Sequence, residues 1–308
     1  MQRLDPGPVI QSAVNFSEGR RPEVIRAILR AVEDVPKAIL ADWSSDADHN
    51  RMVVTILGGP ESIRMAVLAA GRIAVESIDL PQHKGVHPRH GAVDVVPIVP
   101  IREITMEQCV ALSHQIADDL GRELKIPIYF YGESAKPGSR SALPAIRRAG
   151  RGVLGTTLFG GLEPDAGPRR VHPTAGVTMV GARAPLAAYN INLKAQSAEP
   201  ATAIALEIRA DREKLPELEG VRALGWWLES REIAQVSMNV TMPDRTPLPA
   251  IFDYVRTRAE LFGVRELWSE VVGLIPRACL GGAPPARIVW RDFKETQILE
   301  YWMDHAVT

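Results

Sequence analysis

Three of the seven histidines in this chain fall within eight consecutive positions, in QHKGVHPRHG, residues 82–91. Imidazole, with an unperturbed pKa of about 6.5, accepts and releases a proton near neutrality, so a fixed histidine is the natural proton shuttle. A loop held by glycine and proline can fix a ring in one orientation. His87 has the most unusual setting: it stands between Val86 and Pro88, beside Arg89 and shortly before Asp94. Metal binding is the competing use of such a cluster. His83 and His87 are four apart, which serves zinc when both lie on one helical face. Gly85 and Pro88 break that helix, however, and no glutamate follows His83. No metal is expected.

Three further clusters have chemistry to offer. DWSSDADHNR, residues 42–51, crowds Asp42, Asp46 and Asp48 before Asn50 and Arg51 at a turn between two strands. It is read either as an Asx-capped turn or as part of a substrate site. NFSEGR, residues 15–20, ends a strand and starts a helix. Ser17 there either caps the helix or leaves its N–H groups to receive a carboxylate. GPRRVHPTAG, residues 167–176, carries Arg169, Arg170 and His172, with glycines that let backbone approach a ligand.

Positioning these residues takes a scaffold, and the periodicity supplies it. In residues 21–35, Ile25, Ile28, Leu29 and Val32 recur at helical spacing behind Pro22. Residues 8–16, 37–44 and 51–58 read as strands, residues 60–78 as a helix, residues 106–124 as another, and residues 126–132 as a closing strand. The second half repeats the order: strand 185–193, helix 201–215, strands 222–229 and 234–242 as a hairpin, helix 248–263 stopped by Gly263, and strand 269–276. Each half therefore reads β-α-β-β-α-β, the first with an extra helix and residues 82–100 added before its last helix. The expectation is an α+β fold of two tandem ferredoxin-like subdomains, residues 1–185 and 186–308. Helices cover one face of each sheet, and the other faces are buried most simply with the sheets facing each other. About fifty residues link the repeats. A short helix is expected at SALPAIRRAG, residues 141–150, and the remaining Gly-, Pro- and Arg-rich stretch is read as a binding segment.

Composition narrows the function. A net charge of −1 argues against coating nucleic acid. The two cysteines, Cys109 and Cys279, are far apart and build no disulfide framework, which fits a reducing cytoplasm; Cys109 lies on an apolar helical stripe and reads as packing. The first nineteen residues lack an apolar run suited to a signal peptide, and no segment approaches a membrane span.

At this point the residues resemble a known family. VNFSEGR, DHNR, HKGVHPRHGAVDVVPIVPI, IPIYFYGESA, PDAGP, HPTAGVTMVGAR, YNINL, ALGWWLE, AQVSMNV, SEVVGLIP and ILEY occur in the order found in glutamate formiminotransferases, and in the formiminotransferase domain of formiminotransferase–cyclodeaminase. The likeness runs from Val14 to Tyr301, and the chain ends soon after ILEY, so no cyclodeaminase half is expected. The resemblance implies a homodimer, a folate site in a groove between two subdomains, and a place in one-carbon metabolism and histidine degradation. It implies transfer of a formimino group from N-formimino-L-glutamate to N5 of tetrahydrofolate, the co-substrate, with no metal. His87 matches the family's catalytic acid/base. Gly167, Pro168, Arg169, Arg170, Val171, His172, Pro173, Thr174, Ala175 and Gly176 match its folate-contacting segment. Asp46, Asn50, Arg51, Arg89 and Arg183 are weaker substrate-site candidates, the arginines for the carboxylates of two polyanionic ligands. The chain departs from the family pattern at Val14, Val86 and His90, where proline, glutamate and methionine are usual. Val86 and His90 keep open a related folate-dependent transferase using another formimino or formyl donor. A non-catalytic folate-binding module is the third reading.

Overall fold

The computed structural model describes residues 4–85, 89–135, 143, 146, 147 and 162–305. The chain divides into two compact units, one ending at Ala184 and the other spanning Pro185–His305. Each has its own sheet and its own apolar core, and the fold class is mixed α+β.

The first unit runs β1 (Val9–Phe16), α1 (Pro22–Glu33), β2 (Ile39–Asp46), β3 (Arg51–Gly58), α2 (Pro60–Ser77), β4 (Val93–Arg102), α3 (Met106–Glu123), β5 (Ile128–Phe130) and β6 (Thr178–Ala182). The strand order is β2-β3-β1-β4-β6-β5. The first four strands are antiparallel, and β6 joins β4 and β5 in parallel. On α1, Val24, Ile25, Ile28, Leu29 and Val32 are buried, packing with Ile10, Val14, Phe16, Val54 and Ile56 in one cluster. Burying each such side chain is worth roughly 1.5–3 kcal/mol, so this stripe rather than helix propensity holds a twelve-residue helix in place. α3 starts at a capping box between Thr105 and Gln108. Gly71 on α2 lies against the Leu120 and Leu124 side chains, a Cβ there meeting them at 3.3 and 3.2 Å.

The closing strand of the first β-α-β-β-α-β set is β4, not the segment at 126–132 that the pattern suggests. Residues 93–102 carry Pro97 and Pro100, which ordinarily argue against a central strand. Here Pro100 sits opposite Ile10 next to a register shift in the β1 ladder. Residues 128–130 instead form a short edge strand. On the sheet face away from the helices, alternate residues Val95, Tyr129 and Met179 pack with Ile146, Val171 and Val177. Of the expected short helix at 141–150, Leu143, Ile146 and Arg147 are described and all are helical.

The second unit runs β7 (Ala187–Leu193), α4 (Glu199–Asp211), β8 (Val221–Leu228), β9 (Ile233–Val240), α5 (Leu248–Leu261), β10 (Leu267–Val272) and α6 (Leu299–Asp304). Its sheet is antiparallel in the order β10-β7-β9-β8, the same relative order as β4-β1-β3-β2. Gly263, at φ +73°, follows the end of α5. Away from the helices, the Asn190, Asn192 and Gln235 amides all donate to the Glu270 carboxylate, cross-linking three strands.

Both cysteines are fully buried, and burial pushes the Cys109 thiol up to about 11 and the Cys279 thiol up to about 12. Thiolate is the reactive form. The folded protein is expected to resist thiol-modifying reagents at pH 8 while the unfolded chain titrates two thiols. Fast labelling of the folded state would contradict this picture.

Candidate functional site

The loop between α2 and β4 packs onto the β2–β3 turn, and glycines make that approach possible. A Cβ on Gly85 would lie 2.3 Å from the His49 carbonyl oxygen, and one on Gly19 would lie 2.3 Å from that of Asp46. Asn50, in the left-handed region at φ +46°, is the knot. Its Oδ1 accepts from the Gly19 N–H at 2.9 Å and its Nδ2 donates to the Lys84 carbonyl at 2.9 Å. Its own carbonyl accepts from His83 Nε2 at 2.9 Å. Burial, with the Arg89 charge, lowers the His83 pKa and keeps that ring neutral. Asp46 Oδ1 accepts from the His49 N–H at 2.8 Å, bridging the turn from its side chain. Asp46 and Asn50 therefore build the turn.

Arg89 folds back along the same loop. Its guanidinium donates to the Gly85 carbonyl at 2.9 Å and to the His83 carbonyl. Val86, His87 and Pro88 lie outside the described residues. Arg89 also lines a small crevice with Ser17, His49, Asn50, Arg51 and Asp94.

Asp94 is the electrostatic centre of that crevice. It is 2% exposed, accepts from the His90 N–H at 2.9 Å and pairs with Arg147 at 2.5 Å. Arg51 lies 3.8 Å from the same carboxylate and donates to Asn15 Oδ1 from Nε at 3.0 Å. Burial alone would raise the Asp94 pKa; the Arg147 and Arg51 charges outweigh it and hold the carboxyl below its usual range. Burial, then repulsion from Arg147, presses the Arg51 pKa down to about 10, still well above neutrality. Two guanidiniums on one carboxylate leave a surplus positive charge at the crevice, a setting suited to a ligand carboxylate.

NFSEGR leads into α1, which begins at Pro22 behind Arg21. Ser17 does not cap α1; its Oγ donates to the Gly91 carbonyl at 2.7 Å. Glu18 closes the turn ahead of the helix, accepting from the Arg20 and Arg21 N–H groups at 2.9 Å each and from Arg21 Nε at 2.7 Å. Burial would raise its pKa, yet those donors leave it lowered. An internal carboxylate thus occupies the turn that leads into α1.

Residues 167–176 divide by location. Gly167, at φ +77°, packs against Gly121 and the Ile126 carbonyl, where a Cβ would lie 2.3 Å from that oxygen. Gly176, at φ +69°, would place a Cβ 2.1 Å from the His90 carbonyl oxygen. Both glycines thus serve contacts of the chain with itself. Val171 and Ala175 are buried, whereas Arg169 is exposed and pairs with Glu163 at 3.3 Å. Arg170 is exposed, and Pro168, Pro173 and Thr174 are part-exposed or exposed. His172 to Gly176 lie beside Leu80 and His90–Ala92 through backbone hydrogen bonds. Arg183 stands apart from the crevice lining, against Tyr131, with burial lowering its pKa.

Asp94 as a hub, Asn15 and Arg147 are what the sequence reading missed. For Arg147 the signal was the RR pair inside an expected helix within a Gly- and Pro-rich link. Among the described residues, no group of three or more His, Cys, Asp or Glu could hold a metal ion, and no helix is long and apolar enough to cross a membrane.

Comparison with known proteins adds a family match. The model for the formiminotransferase domain, N-terminal subdomain, matches residues 9–183, and that for the formiminotransferase domain matches residues 188–284. The chain is 40% identical to a glutamate formimidoyltransferase of Streptococcus pyogenes serotype M1, over 95% of this chain and 97% of that one. It is 36% identical to the Thermoplasma acidophilum protein of the same name, over 97% and 98%. A formimidoyltransferase-cyclodeaminase of Gallus gallus is 41% identical over 88% of this chain but 51% of its own length, so the chain spans about half of that relative.

Proposed function

Because the chain belongs to the formiminotransferase family, we propose that it is a glutamate formimidoyltransferase, transferring the formimino group of N-formimino-L-glutamate to N5 of tetrahydrofolate. The observation that carries this reading is the 40% identity across nearly the full length of both proteins. The surplus positive charge of Arg51 and Arg147 around Asp94 supports it, since both ligands carry carboxylates. Each unit is read as a ferredoxin-like subdomain, residues 1–185 and 186–308, on the strength of the shared strand order. The working enzyme is read as a cytoplasmic homodimer.

The formimino carbon is an amidine carbon. N5 attacks it, forming a new N–C bond and a tetrahedral intermediate. The C–N bond to glutamate then breaks, and the glutamate nitrogen leaves readily only with an added proton. His87 takes the proton from N5 and delivers it to that nitrogen, giving 5-formiminotetrahydrofolate and glutamate. Such general acid–base help is worth roughly 10²–10⁴ in rate, and holding the two ligands together supplies much of the remainder. Residues 167–176 hold the folate, while Arg51, Arg89 and Arg147 receive carboxylates. Asp46 and Asn50 act through the turn they build.

The test is direct. With tetrahydrofolate and N-formimino-L-glutamate the protein should yield a product that acid converts to methenyltetrahydrofolate, read by absorbance. Transfer only from formiminoglycine or 5-formyltetrahydrofolate would replace the donor, in line with Val86 and His90. Tight folate binding without transfer from any donor would replace the enzyme with a binding module.

A further inference from the structure

His172 makes an unusual use of its ring. Nδ1 accepts from the Ala175 N–H at 2.9 Å and from the Thr174 N–H at 3.3 Å. A nitrogen receiving backbone N–H donors must offer its lone pair, so the ring is neutral and its proton sits on Nε2. The backbone of His172 and Gly176 closes the turn, each N–H donating to the other's carbonyl at 3.0 Å. The ring thus fills the inside of a five-residue turn and fixes its peptide planes.

Those planes do a second job. The Ala175 N–H and the Thr174 carbonyl belong to one peptide unit and point in opposite directions. While the N–H faces the His172 ring, the carbonyl accepts from the Leu80 N–H at 2.9 Å. The next carbonyl, Ala175, accepts from the Ala92 N–H at 2.9 Å, and the Val177 N–H donates to the His90 carbonyl at 2.8 Å. Leu80 and His90–Ala92 are the two roots of the loop that packs on the Asn50 turn and carries Arg89 into the crevice. Gly176 lets the turn sit against that second root.

We infer that His172 is a positioning residue: its neutral imidazole orients the Thr174–Ala175 peptide and thereby holds both roots of the Leu80–Ala92 loop in register. This rests on reading the crevice and residues 167–176 as one transferase site. It assigns His172 a role in turnover distinct from folate contact.

Asparagine and glutamine separate the alternatives. In His172→Asn the side-chain oxygen lies as far along the chain as Nδ1 and can accept the same two N–H groups. In His172→Gln the oxygen is one methylene too distant. Amide hydrogen exchange at Leu80 and Ala92 should be at least about tenfold faster in H172Q than in H172N, the loss of a hydrogen bond or two. The kcat of H172Q should fall about tenfold below that of H172N, with a smaller change in KM for tetrahydrofolate. Equal exchange in the two variants overturns the inference, and so does a rise in KM alone in both. Exchange needs no donor substrate, so it decides the matter even if the wild-type protein transfers nothing. Should H172Q fail to fold, ring ¹⁵N spectra of the wild type decide: a proton on Nε2 supports the inference and a proton on Nδ1 overturns it.

Discussion

Replacing His87 with alanine is expected to lower kcat for formimino transfer by about 10²–10⁴ while tetrahydrofolate still binds with near wild-type affinity. The chemistry sets the size of the effect. Neither N5 loss of a proton nor departure of the glutamate nitrogen proceeds well without a carrier, and the proposed mechanism gives both transfers to one ring. The described residues on either side of His87 are fastened to the scaffold: Arg89 binds the His83 and Gly85 carbonyls, and His83 and Lys84 are bonded to Asn50. None of these bonds uses the His87 side chain, so its removal should leave them, and the proposed folate contacts, standing. Single-turnover measurement, with folate affinity read separately by calorimetry, checks both halves. Wild-type turnover in His87→Ala would remove the residue from the mechanism. Loss of folate affinity with unchanged single-turnover rate would turn it into a binding group.

Periodicity made most of the scaffold legible. The stripe of Ile25, Ile28, Leu29 and Val32 is buried as spacing alone required, and the repeat of strand order follows from two similar runs of elements. The misses have physical reasons. β4 was hidden because Pro97 and Pro100 lack N–H donors, and a single sequence does not reveal which ladder positions tolerate that. Ser17 is a good cap by type, yet its hydroxyl is drawn to the Gly91 carbonyl, and α1 begins only at Pro22, with Arg21 at its N-cap. The glycines of residues 167–176 suggested a ligand's approach, but Gly167 and Gly176 make room for Gly121 and the His90 carbonyl. Such packing is between positions far apart in sequence, and no local pattern encodes it. The site followed the same rule. His87, Arg51 and Arg89 drew attention by residue type, whereas Asp94 and Arg147 matter through a pairing across 53 residues.

Changing Asp94 to asparagine is expected to cost about 3–5 kcal/mol of stability, the usual penalty for removing one partner of a buried ion pair. The carboxylate is 2% exposed and answers to two guanidiniums at once. An amide of the same shape keeps the volume and can still accept from the His90 N–H, so a cavity is not the cause; the cost is two arginines held close without their counter-charge. On thermal unfolding this corresponds to a drop of roughly 10 °C for a domain of this size. The sign of the pH dependence follows from the lowered pKa of Asp94. A carboxyl depressed in the fold contributes stability above its unfolded value of about 3.9, and that contribution fades as pH falls through the folded value. The gap between wild type and Asp94→Asn should therefore be full at neutral pH and close below about pH 4. Denaturant melts of both proteins at neutral and acid pH measure it. A gap that persists unchanged in acid would mean that Asp94 serves by shape and hydrogen bonding, and that the charge of Arg51 and Arg147 is balanced by something else. In that case the surplus charge at the crevice, and the reason to seat a ligand carboxylate there, would go with it.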